Sequence, residues 1–90
     1  MPRAKRAPGL AGAALAEYLT QIVATNDPAQ LAGALGLLAR EHGMREVALA
    51  AGMSREALYK ALRPDAQPRF ETINKVCGAL GVKLVVRPVP

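Results

Sequence analysis

Residues 44–63, MREVALAAGMSREALYKALR, hold a break that leaves the chain few ways to fold. Gly52 separates two short runs of helical spacing. Before it, Val47, Ala48 and Ala51 share one face, and after it Leu58, Ala61 and Leu62 form a second stripe. A glycine at this point supplies the left-handed residue that ends a helix without a Cβ clash. Met53 can turn back inward, and Ser54 is a good N-cap for the second helix. Glu56 falls in that helix's first turn, where the positive end of the helix dipole favours an acid. Ala48 is small where two steeply crossing helices approach closely, and a branched side chain would force them apart. The expectation is a helix near 45–51, a sharp turn, and a second helix over 54–63.

With Leu58, Ala61 and Leu62 inward, the second helix presents Ser54, Arg55, Glu56, Tyr59, Lys60 and Arg63. Arginine bonds a guanine edge bidentately, glutamate accepts from cytosine, and Ser, Tyr and Lys suit phosphates or base edges. A merely solvated face is more often built of Glu/Lys pairs at i,i+4 spacing. The stretch resembles the helix-turn-helix pattern of DNA-binding proteins, with Val47, Ala48, Gly52, Leu58 and Ala61 in its fixed positions. The competing reading is a packed helical hairpin that touches no nucleic acid.

Charge bears on that choice. The chain has 90 residues and a net charge of +5, which favours a polyanionic partner. Arg3, Lys5 and Arg6 lie in the N-terminal tail, so the remainder is only mildly basic. The apolar half is mostly Ala, Leu and Val, with one Phe and no Trp, which fits closely packed helices. One domain of this size is marginal alone and gains stability by dimerising. One Cys and one His form no disulfide framework and no zinc site within a chain, so Cys77 reads as a buried structural thiol and His42 as a helix-end residue. No carboxylate pair, phosphate loop or nucleophile with its base is visible, and the chain reads as non-enzymatic without cofactor or metal. No apolar run approaches a membrane span, and a cytoplasmic location is the simplest expectation.

Residues 1–9 read as a flexible basic tail, either solvated or an arm that touches DNA, ahead of a single domain over 10–90. Residues 10–25 are helical in pattern, with Leu15, Leu19, Ile22 and Val23 on a stripe that Ala11 and Ala14 continue. Asp27 can cap the next helix, Pro28 suits its first position, and Gln30 stands where a capping-box partner would. That helix runs to about His42, with Leu31, Ala34, Leu35, Leu38 and Ala39 inward. Gly33 and Gly36 suggest close helix–helix approach. Phe70 is expected to plug the core from the loop that follows Arg63. A last helix over 71–80 buries Ile73, Val76, Cys77 and Leu80 and ends at Gly81. Residues 82–87 read as a strand in which Val82, Leu84 and Val86 alternate with Lys83, Val85 and Arg87. A lone strand needs a partner, and pairing with a second copy is the first expectation, ahead of packing on its own domain or serving a foreign partner.

The run GMREVALAAGMSREALYKALRPDAQPRFETINKVCGALGVKLVV resembles the small Cro/CI-type helix-turn-helix antitoxins, addiction-module antidote proteins related to HigA. Its most specific part is SREALYKALRPDAQPRFETI, in which Pro-Arg-Phe follows soon after LYKAL. The resemblance implies an all-α, five-helix, lambda-repressor-like domain that dimerises on its own operator DNA. It also implies a RelE/ParE-like toxin as partner. On that likeness Ser54, Arg55, Glu56, Tyr59 and Lys60 read bases or nearby phosphates, and Arg45, Arg63, Arg69 and Lys75 contact the DNA backbone. Toxin-contact residues do not carry over, because the matching motif is the DNA-binding one. Two alternatives stand beside the antitoxin: a stand-alone Cro/CI-type regulator, and a protein-interaction module that uses the terminal strand.

Overall fold

The computed structural model describes residues 11–90, and the basic tail read at residues 1–9 lies outside them. Among the described residues all regular structure is helical. In chain order the helices are α1 (Gly12–Val23), α2 (Pro28–His42), α3 (Met44–Ala51), α4 (Arg55–Ala61) and α5 (Phe70–Ala79). The short α3 is the hub: it packs on α2, α4 and, most extensively, α5, while α1 lies on α2. One cluster gathers Leu15 and Leu19 from α1, Leu35, Leu38 and Ala39 from α2, Val47 and Ala48 from α3, Leu58, Leu62, and Val76 and Cys77 from α5. Val47 and Ala48 are buried because an eight-residue helix surrounded on three sides has room only for small side chains inward.

Local chemistry sets where the helices begin and end. Asp27 caps α2 by accepting the Ala29 N–H at 3.0 Å, and Pro28 takes the first helical position. The capping box expected from Gln30 does not close: the Asp27 N–H donates instead to Thr25 Oγ1 at 3.3 Å. Gly36 is a point of close approach, since a Cβ there would sit 3.0 Å from the Leu62 carbonyl oxygen. Gly33 is not, because a Cβ there would meet nothing within 4 Å. The stripe of α1 is narrower than its spacing suggests. Leu15 and Leu19 are buried and Ile22 is half-buried, but Ala11, Ala14 and Val23 face solvent because α2 is its main neighbour.

Two expectations need correction. Phe70 does not plug the core: it opens α5 and is 67% exposed. Ile73, Val76, Cys77 and Leu80 already supply the inward side of α5 at helical spacing, and Phe70 falls outside the buried set. The second correction is the terminal strand, which is absent: residues 82–87 form none. Gly81, at φ +90°, closes α5 in a Schellman arrangement. The Val82 N–H donates to the Cys77 carbonyl at 2.9 Å and the Gly81 N–H to Gly78 at 3.0 Å. Val82 packs on the core as that cap's apolar contact, so it belongs to the helix end. Beyond it a strand needs a second edge to pair with, and the described residues contain none.

Candidate nucleic-acid interface

Gly52 takes the left-handed conformation, φ +69° and ψ +33°, that its place between the two stripes calls for. Its N–H donates to Leu49 at 3.1 Å and the Met53 N–H reaches the Ala48 carbonyl at 2.9 Å, which together close α3 as a Schellman motif. Met53 folds back against the core cluster. Ser54 then caps α4, its Oγ accepting the Ala57 N–H at 3.0 Å. Leu58 and Leu62 anchor the helix from beneath, fully buried or nearly so. A three-residue turn between buried anchors thus holds α4 at a fixed angle to α3.

Rotation of about 100° per residue orders the other side chains around α4. Measured from Leu58, the sequence around the helix is Arg55, Tyr59, Glu56 and Lys60, an arc of about 140° facing away from the core. All four are exposed. Tyr59 is 42% exposed, its ring lying partly along the protein surface. Among the described residues no ion pair engages Arg55 or Lys60, so both cations are available to an anion. The arc therefore offers a bidentate donor, a point charge, a phenol and one acceptor on a single rigid element.

The remaining candidates are distributed differently. Arg45 is exposed in the first turn of α3. Arg63 lies beyond α4 with its Nε 4.0 Å from Asp65 Oδ1, both side chains well exposed. Arg69 occupies the N-cap position of α5, where its side chain makes no capping bond. Lys75 is one turn after Glu71 on α5, its Nζ 3.4 Å from Glu71 Oε2. The main neighbour of α5 is α3, so Arg69 and Lys75 ride on a different element from the α4 arc. Leu49, 80% exposed just before the turn, is an apolar contact surface that the sequence reading passed over. Its signal was available, since Leu49 falls off the stripe of Val47, Ala48 and Ala51.

Among the described residues no three His, Cys, Asp or Glu side chains group to hold a metal ion. No described helix is long and apolar enough to cross a membrane. Cys77 is buried, and that burial pushes its thiol above the ordinary value.

Residues 11–88 match the family described as probable addiction module antidote protein. The chain is also similar to an uncharacterized protein of Haemophilus influenzae, with 40% identity over 70 residues, covering 78% of this chain and 72% of the relative. No solved structure matches it.

Proposed function

The chain belongs to the family of probable addiction module antidote proteins, and on that premise we propose that it is an autoregulating antitoxin. In this reading it dimerises on its own operator DNA, represses its operon in the cytoplasm, and sequesters a RelE/ParE-like toxin. Membership in the family implies a toxin partner of some kind. The DNA half rests on one observation, the exposed arc of Arg55, Tyr59, Glu56 and Lys60 on a helix fixed by the Gly52 turn.

Each subunit inserts α4 into a major groove, and two such helices read half-sites about 34 Å apart on one side of the duplex. Arg55, nearest the N-terminal end of α4, reaches a guanine edge, while Glu56 accepts from a cytosine amine. Ser54 keeps its hydroxyl proton to donate to a phosphate, because the cap uses the oxygen only as acceptor. Tyr59 and Lys60 approach base edges or phosphates further along the helix. Arg45, Arg63 and Arg69 supply sequence-independent phosphate contacts, and Lys75 joins them by exchanging Glu71 for a phosphate.

Titration of the purified protein against its own upstream DNA, beside scrambled DNA at fixed salt, tests the reading. The titration is repeated with the product of the adjoining gene. Selective binding that the neighbour joins is the expected result. Selective binding that ignores the neighbour reduces the protein to a stand-alone regulator. Equal binding to both DNAs removes the operator function.

A further inference from the structure

The side chains that hold α4 in place differ in chemistry. Leu58 and Leu62 lie beneath the helix, 0% and 2% exposed. Met53 packs on the same core cluster from the turn before α4, and it is half-buried. Its neighbours Gly52 and Ser54 are exposed, and a Cβ at Gly52 would meet nothing within 4 Å, so the turn around Met53 is open to solvent. Of these three anchors only Met53 is both oxidisable and within reach of a small solute. We propose that Met53 is an oxidation site, at which a hydroperoxide forms the sulfoxide, frees α4 from its fixed angle and weakens operator binding. The proposal rests on the operator reading above and adds to it a signal that relieves repression.

The chemistry balances with hydrogen peroxide as the oxidant. A sulfur lone pair of Met53 attacks one peroxide oxygen, the O–O bond breaks, and an S–O bond forms. The second oxygen leaves as water with both hydrogens, and the two electrons that sulfur gives up reduce the peroxide. The product is polar where the thioether was not. If it stays inward, its oxygen lies against a core that contains no buried polar side chain among the described residues, which costs free energy. If it swings out, the turn loses its anchor and the cluster is left with a void. Either way the turn is then held by its backbone bonds alone, the Met53 N–H to the Ala48 carbonyl among them.

The position of Met53 makes that loss matter. Helix α4 has seven residues, too few to keep its shape or direction without tertiary anchors. The other sulfur side chains of the described residues are placed differently. Cys77 is 1% exposed and shielded from the same oxidant. Met44 is half-buried as well, but it begins α3, at the opposite end of that helix from the turn.

The test treats the full chain with hydrogen peroxide, stops the reaction with catalase, and locates added oxygen by peptide mass spectrometry. Operator titration and a thermal melt are run before and after treatment on the parent, Met53→Leu and Met44→Leu. Each protein is compared with its own untreated sample, so any basal effect of a substitution cancels. In the parent, oxygen should appear at Met53, and operator affinity should fall by about tenfold or more. The melting temperature should fall with it, by about 4 °C or more. Met44→Leu should respond as the parent does, whereas Met53→Leu should keep both its affinity and its melting temperature. Methionine sulfoxide reductases for both epimers, with dithiothreitol, should restore binding to the treated parent. Met53→Gln, which places a polar group there without any oxidant, should bind the operator weakly as made. Loss that persists in Met53→Leu, that follows oxygen at Met44 or Cys77, or that the reductases do not reverse overturns the proposal. A parent that binds its operator equally well before and after treatment overturns the proposal alone. An untreated parent with no preference for its operator overturns the operator reading and the proposal with it.

Discussion

Ser54 accepts the Ala57 N–H at 3.0 Å, so its oxygen is engaged as a helix cap. Replacing it with alanine leaves that N–H without its side-chain acceptor, and Ser54→Ala should destabilise the fold by about 1 kcal/mol in urea unfolding. Arg55 is one residue further on and makes no ion pair among the described residues. Arg55→Ala should therefore leave stability within about 0.5 kcal/mol of the parent. It should weaken operator binding by about 1–3 kcal/mol and relax preference at one base pair, as read by competition among operator variants. Unchanged affinity would remove Arg55 from the readers. Of these two neighbouring exposed residues, Ser54 holds the helix, and Arg55 is the one the proposed function assigns to a base. The cap was legible in the sequence because capping depends on residue type and local position alone, whereas base reading by Arg55 is the proposal that this variant tests.

At the scale of elements, spacing located the helices to within one or two residues but could not weigh contacts between them. Gly33 and Gly36 look alike along α2, and both were read as close approaches. Space separates them: a Cβ at Gly36 would crowd the Leu62 carbonyl, whereas one at Gly33 would stand in the open. Opposite signs are expected on substitution. Gly36→Ala pushes on backbone just past α4 and should cost about 1–3 kcal/mol by overpacking. Gly33→Ala gains helix propensity without a clash and should stabilise by up to about 1 kcal/mol. Thermal melts of the two variants beside the parent check both signs. Phe70 illustrates the same limit, for a lone phenylalanine invites a core assignment that only the packing of α5 on α3 could refuse.

Across the whole molecule, burial gives Cys77 a consequence for stability. Its thiol is raised above the ordinary 9.0 by desolvation, so the folded chain holds this proton to higher pH than the unfolded chain does. The associated stabilisation is complete below the unfolded value and is lost as pH rises through the folded one. Urea unfolding from neutral to alkaline pH should show this loss, and Cys77→Ala should reduce the alkaline slope even where it lowers stability overall. Sequence by itself determined the helical class, the Gly52 turn, the Asp27 and Ser54 caps and the outward arc of α4. Each follows from helical periodicity or from a bond between residues a few positions apart. Only the tertiary structure decided which glycine is crowded, where Phe70 lies, and that residues 82–87 form no strand. Those outcomes depend on what another part of the chain places alongside: a helix end that claims Val82, and no second edge among the described residues for the chain beyond it.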